Sequence, residues 1–177
     1  DNSLAELIFT EDSLFFDIET TGFSAARTSL YLIGCAARKE NLLIVDQFFA
    51  ETPADESDVL HAFLDYLQNF DTIITFNGIG FDIPYLTNKC QKYKIPEPFS
   101  AYEYVDIYKM ISGFRFLFAL PNLKQKTVEQ FIGLEREDAY NGGELIDVYK
   151  ACQKNPDKKL ISLLKQHNYE DVIDMPK

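Results

Sequence analysis

The chain has 177 residues, 46% of them apolar and 14% aromatic, and its 28 acidic side chains outnumber 17 basic ones for a net charge of −11. That is ample for a packed core, while no apolar run approaches the roughly 18 residues of a membrane-spanning helix, so no segment of this sequence is expected to cross a membrane as a helix. A protein that grips long nucleic acid without specificity usually shows a basic face, so the charge balance argues against that class too. The length predicts one domain over residues 1–177. The chain opens on Asp1 rather than Met and carries no signal-peptide pattern, so it is expected to be trimmed or excised from a longer protein. Cys35, Cys90 and Cys152 are widely spaced and odd in number, fitting neither a disulfide framework nor a zinc motif. They read as packing residues in a reducing compartment, and the cytoplasm is the expected location.

Residues 13–18 form a short apolar run ending in acids, the pattern of a buried strand. Residues 30–37 and 42–49 are two more strand-like runs, joined by a hairpin turn at Arg38-Lys39-Glu40-Asn41. Thr52-Pro53-Ala54-Asp55 starts a helix whose apolar positions Val59, Leu60, Phe63, Leu64 and Leu67 keep helical spacing. Residues 72–76 are short and β-branched, as in an interior strand. Asn77-Gly78-Ile79-Gly80 is a turn, and a helix runs from Phe81 to about Lys94 with Pro84 in its first turn. A short strand near 102–105 follows, with Asp106 as a helix N-cap, and residues 123–131, 143–152 and 156 onward read as helices. The order β-β-β-α-β-α-β-α predicts an α/β fold: a mixed sheet of three antiparallel strands followed by parallel ones, flanked by helices, with a helical C-terminal part.

Three segments carry candidate chemistry. Asp17 and Glu19 are two apart on a strand and so share a face, where two hard oxygen donors suit Mg²⁺ or Mn²⁺; a solvated strand end fits Asp-x-Glu equally well. The following Thr20-Thr21-Gly22 lets backbone approach a ligand. Asp82 lies just past the 72–76 strand. If that strand runs parallel to and beside the first, Asp82 joins Asp17 at the carboxyl edge of the sheet, where ligands bind in open α/β sheets; the competing reading is a helix N-cap. Asn77 either holds the loop or touches a ligand. His167 and Asp171 are four apart on a helix and face the same way, which lets an imidazole take a proton beside a carboxylate. Tyr169 and Asp174, five apart, diverge.

Together, Asp17-Ile18-Glu19-Thr20-Thr21-Gly22, Asn77-x-x-x-Phe81-Asp82 and His167-x-x-x-Asp171 resemble the DnaQ-like (DEDD) exonuclease superfamily of the ribonuclease H-like fold. The spacing of the third is that of the tyrosine branch, occupied here by histidine. The Asn168-x-x-Asp171 pattern, Leu120-Pro121-Asn122-Leu123 onward, and Arg136-Glu137-Asp138 through Gly142-Gly143-Glu144 resemble the YprB-type subfamily. The resemblance spans about 14–174. It implies that Asp17, Glu19, Asp82 and Asp171 bind two divalent cations, Mg²⁺ or Mn²⁺, with His167 orienting or deprotonating the attacking water. It implies a 3′–5′ exonuclease acting on DNA or RNA with a free, single-stranded 3′ end. Thr20, Thr21 and Gly22 would approach the terminal sugar, Asn77 would help to hold the substrate, and Phe23 and Phe81 would stack on the last base or pack in the core. Arg136, Lys124 and Lys126 read as phosphate contacts or solvated surface. The alternatives carried forward are a non-catalytic nucleic-acid or protein-binding module and a hydrolase of nucleotides or short oligonucleotides.

Overall fold

The protein is described here by a computed structural model covering residues 9–137 and 140–177; Asp138, part of the charged segment singled out above, lies outside them. Among the described residues, five strands form one sheet: β1 (Ser13–Thr20), β2 (Leu30–Lys39), β3 (Leu42–Phe49), β4 (Thr72–Thr75) and β5 (Glu103–Asp106), in spatial order β3-β2-β1-β4-β5. β1, β2 and β3 are antiparallel neighbours, while β4 and β5 join parallel to β1 and to each other. This is the expected mixed sheet. The hairpin turn at Glu40 takes φ of +56°, a left-handed corner that joins β2 to β3.

Alternation along β1 sends Leu14, Phe16 and Ile18 to one face and Phe15, Asp17 and Glu19 to the other. The first face packs under α1 (Glu56–Leu67) and α2 (Asp82–Tyr93), burying Val59, Leu60, Phe63, Leu67, Leu86 and Cys90 with the β1 residues. The second face is covered by α6 (Gly142–Lys154) and α7 (Lys158–Asp174), through Tyr31, Leu32, Tyr149 and Leu164 at one end and Phe15, Ala36, Ile74 and Val172 at the other. Between β5 and α6 come α3 (Ile107–Ser112), α4 (Arg115–Phe118) and α5 (Gln125–Phe131). Asp106 caps α3 as expected, its side chain accepting from the Lys109 amide. The bounds of α3 and all of α4 had no periodic signature: Phe114, Phe116 and Leu117 are exposed. Cys35, Cys90 and Cys152 are free and buried. Among the described residues no helix is long and apolar enough to cross a membrane.

Candidate active site

The parallel ladder between β1 and β4 runs from Ser13 opposite Thr72 to Phe15 opposite Ile74. Beyond it the chain of β4 turns away, leaving the Ile18 amide without a strand partner on that side. Asp82 fills the gap: its Oδ1 accepts from Ile18 N at 3.1 Å. Asp82 is the first residue of α2, whose N-cap is Phe81, so the N-cap reading gives way to a side chain aimed at β1. The preceding turn is held by Asp106, which accepts from the amides of Asn77 (3.0 Å) and Ile79 (3.2 Å) as well as capping α3. Asn77 sits there with φ of +66°, which an asparagine tolerates better than most residues.

On its other side β1 slips register against β2 between Glu19 and Thr20, pairing Glu19 with Leu32 but Thr20 with Leu30. The extra residue is Tyr31, a bulge beside the site. Its ring stacks on Tyr149 at 4.2 Å, and its hydroxyl donates to Glu19 Oε2 at 3.4 Å. Burial, then the Glu19 charge, push the Tyr31 hydroxyl far up, so it remains a donor.

α7 supplies the third segment. His167 Nε2 lies 3.5 Å from Glu19 Oε1 and 3.3 Å from Asp171 Oδ2. Glu19, His167 and Asp171 each offer a donor atom, all within 4.8 Å of one another. Asn168, fully buried, lies over Gly34, the β2 partner of Asp17; a Cβ at Gly34 would fall 2.0 Å from Asn168 Oδ1. The amide is oriented by Gln47, whose Nε2 donates both to Lys165 O (2.8 Å) and to Asn168 Oδ1 (3.0 Å). Asn168 Nδ2 therefore faces Asp17, with long contacts of 3.4 Å to its carbonyl and Oδ2.

The electrostatics follow from four carboxylates gathered at one sheet end. Asp17 is raised well above the ordinary carboxyl range by burial, then by the charges of Asp82, Asp171 and Glu19, with Asn168 opposing. Asp82 is pushed up to about 7, mainly by burial and against the Ile18 amide. Asp171 is also raised by burial, with His167 and Arg136 opposing. Such a cluster binds protons or cations. Its oxygen donors fit a hard divalent ion.

Beside the cluster the 20–29 loop closes on itself. Thr21 exchanges bonds with Ser29, Thr20 and Thr28 hydroxyls donate to the Gly22 carbonyl, and Gly22 takes φ of +150° against the Thr28 methyl. Phe23 is 93% exposed, which overturns its core-packing reading, and meets Phe81 edge-on at 5.9 Å. The two rings, with Ala25, Gly80, Pro84 and Tyr85, line a groove of about 300 Å³. A separate cleft of about 470 Å³ is lined by Asp17, Asp171, Asn77, Phe76, Tyr108, Lys124 and Gln125.

The structure thus gathers Asp17, Glu19, Asp82, His167 and Asp171, with Asn77 at the cleft edge and Thr20–Phe23 and Phe81 alongside. His167 is 6% exposed, not a surface histidine. Arg136 is no solvated residue either: it is packed against Glu129 and Asp171. Gln47, Gly34, Tyr31, Gln125 and Glu129 were not foreseen. A glycine inside the apolar run 30–37 was the available signal for a close approach at Gly34.

Comparison with known proteins adds sequence and shape. The family model described as the RNase H superfamily matches residues 14–177. A DNA polymerase of Pyrococcus glycovorans is 33% identical over 94 residues, 48% of this chain and 12% of the polymerase. The family B DNA polymerase of Pyrobaculum calidifontis superimposes with a TM-score of 0.73 at 19% identity, over 90% of this chain and 23% of that one. The zinc-bound E. coli ExoI–ssDNA complex gives 0.54 at 16% identity, over 88% and 43%. The chain spans less than half the length of each of these proteins. With the family model covering nearly every residue of the sheet and its helices, the chain belongs to the RNase H superfamily.

Proposed function

We propose that the protein is a metal-dependent 3′–5′ exonuclease that hydrolyses phosphodiester bonds of DNA or RNA from a single-stranded 3′ end, releasing 5′-monophosphates. Within the superfamily we place it with the YprB-type subfamily, on His167, Asn168 and Asp171. The observation that carries the reading is the convergence of Asp17 and Glu19 on β1, Asp82 on α2, and His167 and Asp171 on α7 at one end of the sheet, with carboxylates whose burial and mutual repulsion oppose their ionisation. A binding module has no use for carboxylates held in that state.

In this proposal Asp17, Glu19, Asp82 and Asp171 hold two divalent cations, Mg²⁺ or Mn²⁺, which would stabilise charge on the attacking and leaving oxygens. His167 orients the attacking water or takes its proton. The Thr20–Gly22 backbone approaches the terminal sugar, and the exposed Phe23 with Phe81 offers the last base an aromatic edge in the adjoining groove. Lys124 and Asn77, on the second cleft, lie where the incoming strand passes. The acidic surface limits grip on long duplexes and suits a strand end.

The test is product analysis on 5′-end-labelled single- and double-stranded DNA and RNA with Mg²⁺ or Mn²⁺. The expected outcome is a ladder of products shortened by one nucleotide at a time on single strands. Asp17→Asn and Asp82→Asn should each reduce the rate about 10³-fold, equivalent to several kcal/mol of lost charge stabilisation, in a folded protein. Near wild-type hydrolysis by both variants would refute the proposal.

A further inference from the structure

α5 places Gln125 and Glu129 four residues apart and so on one face. The chain then reverses: Leu134 N returns to Glu129 O at 2.9 Å, through Gly133 at φ of +85°. This turn carries Arg136 back onto the same face. Its guanidinium grips Glu129 with two nitrogens, Nε on Oε2 and Nη2 on Oε1 at 2.6 Å, the forked geometry that fixes an arginine in plane. The third nitrogen, Nη1, is buried, makes no hydrogen bond of good geometry among the described residues, and stands 2.6 Å from Asp171 Oδ1 as an ion pair. The Arg136 side chain is 7% exposed and that of Glu129 5%. Gln125 completes the arrangement. Its Nε2 donates to Glu129 Oε1 at 2.9 Å and to the Asp171 carbonyl at 2.7 Å, in the last turn of α7.

We infer that Arg136 is a positioning residue of the candidate metal site, acting through Asp171 and held in place by Glu129 and Gln125; this rests on the metal-dependent reading above. A carboxylate on a helix turns easily about its last bond, and either oxygen can face the cluster. With Oδ1 taken by Arg136, Oδ2 is the oxygen presented toward His167 and Glu19. A lone arginine beside a cation site would also repel the cation. Glu129 removes that objection: the pair is close to neutral as a unit, so what reaches Asp171 is direction more than net charge. Partners of this kind around metal-binding side chains typically change metal affinity by about 10- to 100-fold.

The experiment is calorimetric titration of Mn²⁺ into metal-free protein, for the wild type, Arg136→Gln/Glu129→Gln and Arg136→Lys. The double variant removes both charges, so no buried glutamate is left unpaired. Its Mn²⁺ dissociation constant is expected to rise about 10-fold or more, with a lower kcat and little change in KM on an end-labelled oligonucleotide. Arg136→Lys keeps the charge and loses the fork. It should fold as the wild type does and still bind Mn²⁺ several-fold more weakly. A lower melting midpoint with unchanged Mn²⁺ affinity in the double variant, or full wild-type affinity in Arg136→Lys, would overturn the assignment. Wild-type protein that takes up no Mn²⁺ would overturn the metal-site reading itself, an outcome distinct from uptake that these substitutions leave untouched.

Discussion

On the α1–α2 side of the sheet, Glu56 is 1% exposed and is met from every direction. Lys89 Nζ lies 2.6 Å from Oε1, Lys92 Nζ 2.8 Å from Oε2, Tyr93 donates its hydroxyl to Oε2, and the Leu30 amide donates to Oε1 at 2.6 Å. Burial pushes this carboxyl up, but the donors outweigh it and it ends below the ordinary value. On the α7 side, Asp17, Asp82 and Asp171 end above theirs, relieved only in part by an asparagine, a backbone amide, a histidine and an arginine already committed to Glu129. One chain thus closes one buried carboxylate completely and leaves a group of them short of positive charge. The shortage is local, and it is what a divalent cation would supply.

The comparison breaks most visibly at Lys89. Lys89 has no exposed surface, and besides Glu56 it donates to the Thr28 carbonyl at 2.5 Å. Removing one partner of a buried pair costs about 3–5 kcal/mol. Lys89→Met should therefore lower stability by that amount in urea or thermal denaturation, and Mn²⁺ should not restore it, because the lesion lies on the far side of the sheet. A loss under about 1 kcal/mol, the range of exposed pairs, would mean that Glu56 is not the closed cluster described.

The two clusters were unequally legible in the sequence. Asp17 and Asp82 stood out because each follows an apolar strand run, and a charge there demands compensation: Phe15-Phe16 before Asp17, Ile73-Ile74 before the turn to Asp82. The sheet order followed from the same runs and the short hairpin. The Glu56–Lys89 closure was hidden, since a glutamate in a helix's first turn and a lysine on another helix look like ordinary surface residues until the two helices meet. Likewise the Tyr31 bulge is a matter of register between strands. The grip of Arg136 on Glu129 depends on a reversal at Gly133 that has no period to announce it. Phe23 shows the opposite limit: an aromatic beside a glycine reads as core or as contact, and exposure decides it.

A comparable effect, about 4 kcal/mol at about 1.4 kcal/mol per pKa step, comes from pH. Asp82 has an ordinary value of 3.8 and is pushed up to about 7 in the folded protein. Folding therefore favours its protonated form. The stability it allows is fully present below about pH 4 and is lost as pH rises through about 7. Asparagine mimics the protonated acid and keeps an oxygen for the Ile18 amide. In metal-free buffer, Asp82→Asn should match the wild type near pH 4 and become the more stable protein by pH 8. Saturating Mn²⁺ at pH 8 should reverse that order, because the wild type gains binding energy that the variant lacks. Melting curves at the two pH values, with and without Mn²⁺, check it; equal stability at every pH would mean that the second cluster is not short of charge.

The smallest expected effect separates charge from dipole within the open cluster. Gln47 acts on the acids at one remove: its Nε2 holds Asn168 Oδ1, so that Nδ2 faces Asp17. Gln47→Leu leaves Asn168 Oδ1 and the Lys165 carbonyl without that donor, a loss of about 2 kcal/mol at roughly 1 kcal/mol for each hydrogen bond. The contacts Asn168 makes to Asp17 are long at 3.4 Å, and a neutral amide at that distance does little for a carboxylate beside three others. Mn²⁺ affinity should then shift by less than about threefold, under the roughly 0.7 kcal/mol that such a factor represents. A tenfold loss in calorimetry would place the Gln47–Asn168 dipole on a par with the charged groups and dissolve the contrast with Glu56. An effect near zero on affinity, with the small loss of stability intact, would leave the negative charge of the cluster waiting for a cation rather than for a better hydrogen bond.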